Sequence, residues 1–244
     1  MTLWFGGLVA IVGVLAGGVA SVAGFGIGSL LTPLLALQTS TQLAVAAIAV
    51  PHAIGTLQRF WKLRQHVDRS VLTGFGITSA AGGLAGALLH SYASSRSLTI
   101  VFGLLLLLAG VSELSGWIQR RHWGRQAAWI AGALSGALGG LVGNQGGIRS
   151  AAMLGFKVPG TSFVATATAI ALCVDAARLP VYIASQGRAM AAIWPLVLAA
   201  TIGVVIGTAI GTRVLRLMSE RTFRRVVAVL LLGLGIYMLA RGLR

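Results

Sequence analysis

Uncharged, mostly apolar runs follow one another along almost the entire chain. They cover residues 3–37, 40–57, 70–95, 97–112, 126–148, 158–174, 189–212 and 226–240. A helix needs about 20 apolar residues to cross a hydrocarbon core of ~30 Å, and backbone groups in lipid need internal hydrogen bonds. The runs do not alternate as the ~10-residue strands of a membrane barrel do. This pattern predicts an all-α polytopic membrane protein with short loops.

Glycine-dense segments interrupt the first and the fifth of these runs. We call residues 24–33 the first break, which reads GFGIGSLLTP, and residues 143–150 the second break, which reads GNQGGIRS. Glycine at this density disfavours an uninterrupted helix. Each run is therefore predicted to form a helical hairpin whose glycine turn lies inside the membrane or near its far face. The pattern leaves open whether the hairpins span fully or are re-entrant.

The two halves of the chain match at an offset of 119 residues. The matching pairs are Gly17 and Gly136, Gly24 and Gly143, Gly28 and Gly147, Val45 and Val164, and Arg59 and Arg178. Broken helices at corresponding places in two halves are typical of secondary transporters. We predict two repeats in one membrane domain, residues 1–119 and 120–244, each a glycine-broken hairpin followed by about three transmembrane helices.

The charges predict the orientation of these repeats. The chain has 19 Lys and Arg against 4 Asp and Glu, a net charge of +15, and only 9% of its residues are charged, whereas a soluble domain carries about 25%. The bases lie between apolar runs, so we expect membrane flanks and no nucleic-acid partner. If each hairpin returns to its starting side, most bases gather on one side, with Arg59 and Arg178 counted as flanking residues. The positive-inside rule favours this arrangement over a nearly even division. Each half then crosses the membrane an odd number of times, so the second half starts on the opposite side from the first. The repeats are therefore inverted, and both termini face away from the cytoplasm.

The second break carries the side chains best suited to bind an anion. Asn144 and Gln145 offer amide donors, and Arg149 offers a permanent cation whose fork fits oxyanions. Gly146 and Gly147 leave backbone N–H groups accessible near a helix start, where the dipole favours negative charge. We expect these residues to bind a small oxyanion. The alternative is that Arg149 lies near the interface and reaches lipid headgroups.

The first break is apolar and offers no charged side chain. We expect Gly26 and Gly28 to contribute backbone amides, and Ser29 and Thr32 their hydroxyl groups, to the same substrate site. The two breaks would then approach each other near the middle of the membrane.

Four further residues are candidates for coupling or gating. Asp175 and Arg178 lie three apart on one helix, so they either neutralise each other or act as a proton carrier and an anion contact. Arg59 corresponds to Arg178 in the repeat, and anchoring a helix end is the favoured role for both. His52 can shuttle protons near neutral pH, but it has no carboxylate nearby in sequence, and packing is the favoured alternative.

No catalytic or metal-binding constellation is visible in the sequence. It has no His or Glu cluster with metal-ligand spacing, no Gly-x-Ser-x-Gly elbow and no Walker motif. The single cysteine, Cys173, excludes an internal disulfide and a Cys-based metal cluster. We therefore expect no enzyme activity, no cofactor, no metal site and no ATP motor.

The chain resembles the sulfite exporter TauE/SafE family, also called the toluene-sulfonate uptake permeases. The resemblance rests on the size of the chain, its apolar runs, its two related halves and the glycine-rich break that opens each half. The first break is similar to the family's glycine-rich segment that runs into a proline, with Ser29 where a further glycine is common. The second break is similar to a polar variant of that segment, with Ala152 where the proline would follow.

The resemblance implies transport of small sulfur-containing anions. With the residues above, it predicts a multi-pass secondary transporter of the bacterial inner membrane that moves sulfite, a sulfonate or another organosulfur acid. The alternatives are a channel-like facilitator and a non-transporting membrane subunit. We expect a small anionic substrate and membrane lipid as partners, and leave open a coupling proton and a homodimer.

Overall fold

The computed structural model describes residues 3–116, 125–144, 146–153, 156, 158, 160–215 and 219–244. These residues form helices joined by short connections, and no β-strand occurs among them. Seven of the helices in this described part of the chain are long and apolar enough to cross a membrane. The prediction of an all-α polytopic membrane protein is confirmed.

Each half contains a hairpin followed by three long helices. In the first half the helices are α1 (Leu3–Ala23), α2 (Ile27–Ala36), α3 (Thr41–Leu63), the single turn α4 (Arg69–Val71), α5 (Ile77–Tyr92) and α6 (Ser95–Ser115). A 3-10 turn at Arg64–His66 and a π-turn at Leu72–Gly76 complete the connection from α3 to α5. In the second half they are α7 (Arg125–Val142), α8 (Gly146–Met153), α9 (Gly160–Ala192), α10 (Trp194–Leu215) and α11 (Glu220–Leu243).

The helix ends repeat with the offset found in the sequence. Gly24 and Gly143 directly follow α1 and α7, and both have positive φ, 77° and 73°, a conformation that glycine adopts without strain. Three further pairs of helix ends are separated by the same 119 residues: Ala23 and Val142, Ile27 and Gly146, and Thr41 and Gly160. The two breaks thus interrupt corresponding hairpins in the same register. The predicted boundary between residues 119 and 120 lies outside the described residues.

The second arms of the hairpins, α2 and α8, are too short to cross a membrane. They contain 10 and 8 residues, or about 15 and 12 Å of helix, against a core of ~30 Å. The Ala36 carbonyl at the end of α2 accepts a hydrogen bond from Arg241 near the end of α11. The Thr41 N–H, just after α2, donates to Ser95 where α5 turns into α6, so α2 begins roughly half a membrane below the surface at which these two helices meet. The arm α2 is therefore re-entrant, and the first break lies near mid-depth.

The hairpins pack against long helices of the opposite half. α1 lies along α10, where Gly17 faces the backbone of Val204 and Thr208, and α7 lies along α5, where Gly136 faces the backbone of Ser79. A Cβ added at either glycine would overlap the facing backbone. Small residues at these positions thus allow close packing of helices within one chain.

Corresponding helices of the two halves meet each other directly. α6 packs on α11, and the two run antiparallel because Gly103 lies beside Leu239 and Gly110 lies beside Leu232. α3 packs on α9, its counterpart in the second half. Antiparallel contact between corresponding helices is the arrangement expected when the halves are inverted.

The treatment of Arg59 and Arg178 as flanking residues was wrong. They are only 5% and 1% exposed, inside α3 and α9, because both helices continue past the apolar runs in the sequence. α9 extends to Ala192, well beyond the end of its run at residue 174. Since one arginine is removed from each side of the membrane, the bias of the loop charges remains.

Candidate functional site

The two breaks lie against each other inside the bundle. Gly28 faces the Gly143 carbonyl, and a Cβ added at Gly28 would lie 2.5 Å from the carbonyl oxygen. Gly146 faces the side chain of Phe25 and has no space for a side chain of its own. The glycines thus allow the starts of α2 and α8 to converge, and helix N-termini attract negative charge.

The predicted residues of the first break lie at the start of α2. Gly26 has φ 131° and no side-chain cap, so the first N–H groups of α2 have no partner within the helix. Ser29 and Thr32 are buried on α2, in the arm that approaches the second break at Gly28. The break therefore brings backbone donors and hydroxyl groups into the interior.

Arg149 is buried at the contact between the breaks and does not reach outward to headgroups. Its side chain is 2% exposed, and Nη2 donates to the Gly24 carbonyl over 3.0 Å. Its Nε and Nη1 have no hydrogen-bond partner among the described residues. Buried donors are costly to leave unpaired, so these two nitrogens can bind an acceptor.

The remaining predicted residues of the second break precede Arg149 in the chain. Asn144 is 9% exposed, and its Nδ2 also lacks a partner within the described part of the chain. Gly146 and Gly147 are the first two residues of α8. Gln145 lies outside the described residues. The unused groups of Asn144 and Arg149 are all donors, which is the chemistry that an oxyanion requires.

Arg59 and Arg178 hold equivalent helix ends. Arg59 donates through Nη1 to the carbonyl of Ala20 in α1, and Arg178 donates through Nη1 to the carbonyl of Gly139 in α7 over 2.7 Å. Both the arginines and their acceptors are related by 119 residues. A cation near the C-terminus of a helix is favoured by the helix dipole. Each arginine thus bonds the end of a hairpin helix, whereas the sequence predicted that it would anchor the end of its own helix.

Asp175 joins the two halves through a buried network. Its Oδ2 lies 2.7 Å from His52 Nδ1 on α3, and its Oδ1 lies 2.8 Å from Arg178 Nη2 and 3.0 Å from Arg178 Nε. Asp175 is fully buried and His52 is 9% exposed. His52 therefore has a carboxylate partner after all, contributed by a residue 123 positions away.

Two buried residues of this region were missed by the sequence analysis. The Tyr182 hydroxyl donates to the Gly140 carbonyl, and His90 Nδ1 lies 2.8 Å from the Leu141 carbonyl. The two rings face each other with centroids 4.8 Å apart. Tyr182 could have been found, because it lies four residues after Arg178 on the same face of α9. His90 carries no comparable signal in the sequence.

The cluster carries an excess of positive charge. The charges of Arg59, Arg178 and Asp175 all act on Arg149, and Asp175 is the only buried carboxylate among the described residues. Three buried guanidinium groups therefore have one buried carboxylate as their counter-charge, and of the three only Arg178 contacts it. Buried charges without a counter-ion are unfavourable, so this arrangement can bind an anion.

A separate groove lies between the first hairpin and α10 and α11. It has a volume of about 660 Å³, and residues such as Leu15, Leu30, Ile210 and Leu230 line it. Its walls are apolar and offer no cation. The groove therefore does not fit an anion, and the break contact remains the better candidate.

The comparison with known families agrees with this picture. A family model described as "Sulfite exporter TauE/SafE" matches residues 9–238, nearly the whole chain. No match to a curated protein or to a solved structure was found.

Proposed function

The chain belongs to the sulfite exporter TauE/SafE family, and from that premise we propose that it is a secondary transporter for a small oxyanion. The substrate is sulfite, a sulfonate or another organosulfur acid, carried across the bacterial inner membrane. The observation that carries this proposal is the set of buried donors in the second break that have no partner among the described residues: Arg149 Nε and Nη1 and Asn144 Nδ2.

The substrate oxyanion binds at this contact. Its oxygens accept hydrogen bonds from Arg149 and Asn144, and its negative charge offsets the excess of buried arginine. The starts of α2 and α8 add backbone donors and dipoles of the same sign. Arg59 contributes charge and one further donor from the cytoplasmic half of α3. Asp175 fixes Arg178 in place, which leaves Arg149 as the principal ligand.

Transport occurs by movement of one half against the other. Arg149 belongs to the second half and bonds the Gly24 carbonyl of the first, so a relative movement of the halves reshapes the site. The antiparallel contact of α6 with α11 supports an inverted relation between the halves, and inverted repeats move in this way in many secondary transporters. The predicted bias of Lys and Arg puts the α3–α5 connection in the cytoplasm.

The test is substrate exchange in proteoliposomes. Vesicles loaded with unlabelled sulfite or methanesulfonate are diluted into the labelled anion, and uptake is followed with time. The variants are Arg149→Ala and Arg149→Lys, and the matched control is Arg188→Ala, since Arg188 is an exposed arginine on α9. Monodispersity and thermal unfolding in detergent check that each variant is folded.

We expect saturable exchange by the wild type and the control, and a loss of at least about tenfold in Arg149→Ala, the size expected for losing hydrogen bonds to a charged group. Arg149→Lys keeps the positive charge but lacks the planar guanidinium group, so its exchange rate should lie between those of the wild type and Arg149→Ala. Exchange unchanged in folded Arg149→Ala would refute the site. Flux that neither saturates nor responds to anion on the opposite side would favour a channel-like facilitator. Absence of flux of either anion in folded wild type would remove the substrate class.

A further inference from the structure

The buried His, Asp and Tyr side chains of the described residues form a single column between the halves. Its members are His52, Asp175, Tyr182 and His90, all 9% exposed or less. The column runs along α9, where Asp175 and Tyr182 are seven residues or about 10 Å apart. Ionisable groups inside a membrane are costly and commonly mark ion or proton pathways.

The column begins with the His52–Asp175 contact, and the Asp175 charge also acts on Arg149. The Asp175 carboxylate can only accept when ionised, so His52 Nδ1 carries the hydrogen in their 2.7 Å bond. The second ring nitrogen of His52, Nε2, is then the atom that gains or loses a proton. Because α3 and α9 belong to different halves, this contact lies across the moving interface.

The column ends near the opposite surface from the basic loops. His90 lies two residues before the end of α5, and its carbonyl accepts from Gln42 Nε2 at the start of α3 over 3.0 Å. The Thr41 N–H bonds the Ser95 hydroxyl at the start of α6 over 2.8 Å. These helix ends share the side of the membrane that carries few Lys and Arg.

His90 has a free proton-accepting nitrogen in the interior. Its Nδ1 faces the Leu141 carbonyl, which can only accept, so Nδ1 is the donor and Nε2 of the neutral ring is the acceptor. Nε2 has no partner in the described part of the chain. The ring packs at a tilt of 54° against Tyr182, whose ring lies 5.9 Å from the Arg178 guanidinium.

We infer that the His52–Asp175 pair carries a coupling proton, which moves in the same direction as the anion. His90 and Tyr182 line the route of this proton from the membrane face that carries few Lys and Arg. This inference rests on the proposed function and adds its energy source. The proton binds His52 Nε2 from one side of the membrane to give an imidazolium beside the Asp175 carboxylate. It leaves from the same nitrogen to the other side, so no other reactant is needed.

The direction of coupling follows from the charges around the pair. The charged groups that act on His52 are Asp175, Arg178 and Arg59, and the same three groups act on Arg149. A proton on His52 adds positive charge to the region where the anion binds. Each therefore raises the affinity for the other, a relation that must be reciprocal, and cooperative binding of both produces symport.

The experiment separates exchange from gradient-driven accumulation. The membrane potential of the proteoliposomes is clamped at zero. The labelled anion is the one that the wild type exchanges, sulfite or methanesulfonate. Accumulation is measured with an external pH one unit below, equal to, or one unit above the internal pH. The variants are His52→Gln, His90→Gln and Tyr182→Phe, and the control is His66→Gln, since His66 is exposed in the α3–α4 connection.

We expect the wild type and the control to accumulate anion when the outside is acidic, up to about tenfold per pH unit for one proton per anion. His52→Gln should lose accumulation while exchange at equal pH persists, and His90→Gln and Tyr182→Phe should accumulate more slowly. Wild-type exchange without any response to the pH gradient overturns the inference and leaves the proposed function intact. The same holds if accumulation has the opposite sign, or if His52→Gln accumulates as the wild type does. Absence of exchange in the wild type overturns both.

Discussion

The three buried arginines of the cluster differ in how many of their nitrogens are already bonded. Arg178 uses Nε and Nη2 on Asp175 and Nη1 on Gly139. Arg149 uses only Nη2, on Gly24, and has two nitrogens without a partner among the described residues. The proposed function therefore assigns Arg178 a structural role and Arg149 the role of binding the anion.

This difference predicts unequal effects of the same substitution, arginine to methionine, on the free energy of unfolding. Arg178→Met leaves Asp175 short of a buried counter-charge and should lower the free energy of unfolding by about 3–5 kcal/mol. Arg149→Met removes an incompletely paired cation and should change stability by no more than about 1 kcal/mol, while abolishing anion exchange. Thermal unfolding in detergent compares the two variants. Equal destabilisation by the two substitutions would mean that Arg149 serves to stabilise the contact between the breaks.

At the scale of single residues the sequence was informative where chemistry alone identifies a candidate. An arginine and an asparagine in a glycine-rich break point to an anion without any knowledge of the fold. The His52–Asp175 contact could not be found in this way, because its partners are 123 residues apart and meet only when α3 crosses α9. Gln145 stays a prediction, since it lies outside the described residues.

The elements that position the site are the two glycine breaks. Their backbones approach so closely that Gly28 and Gly143 meet without a side chain between them. The spans themselves were predictable, because an apolar run of sufficient length has few alternatives to a helix in lipid. The far end of α9 was not predictable, because its apolar run ends in the sequence at Asp175 and Arg178. In the structure these two residues neutralise each other inside the helix, and the helix continues.

A single methyl group should disturb the contact between the breaks. In Gly28→Ala the new Cβ would lie 2.5 Å from the Gly143 oxygen, so the two breaks must separate by several tenths of an ångström or more. We expect exchange to fall by at least about tenfold, because donors displaced from their acceptors lose most of their hydrogen-bond energy. Gly233→Ala is the matched control, since nothing lies within 4 Å of a Cβ there. Wild-type exchange in Gly28→Ala would mean that the breaks need not touch.

For the whole molecule, the important relation is the one between the two halves. Helix ends, positive-φ glycines and arginine anchors all repeat at 119 residues, so the repeat seen in a few residue identities extends to the architecture. Its offset was predictable because glycines and a buried arginine have few substitutes at such positions. The packing of each hairpin on the opposite half, with α1 on α10 and α7 on α5, was not predictable. Small-residue spacing does not specify which helix is the neighbour.

The proposed inversion of the halves, with the basic loops in the cytoplasm, predicts which connections face outward. In a Cys173→Ser background, a cysteine at Ser94 between α5 and α6 should react with an impermeant maleimide added to intact cells. A cysteine at Gln65, between α3 and α4, should react only after permeabilisation. Both positions are exposed, so exposure within the protein does not distinguish them. Labelling of Gln65→Cys and not Ser94→Cys from outside would reverse the orientation, and labelling of both or neither would contradict the crossings assigned to α5.

The most direct measurement is an experimental structure of the protein with bound sulfite. We predict that the sulfite oxygens lie within about 2.7–3.2 Å of Arg149 Nε or Nη1 and of Asn144 Nδ2, at the contact between the first and second breaks. Arg178 should keep its bonds to Asp175 and Gly139. Sulfite bound elsewhere, for example in place of the Arg178–Asp175 pair or near the apolar groove, with the break contact unchanged, would contradict the account.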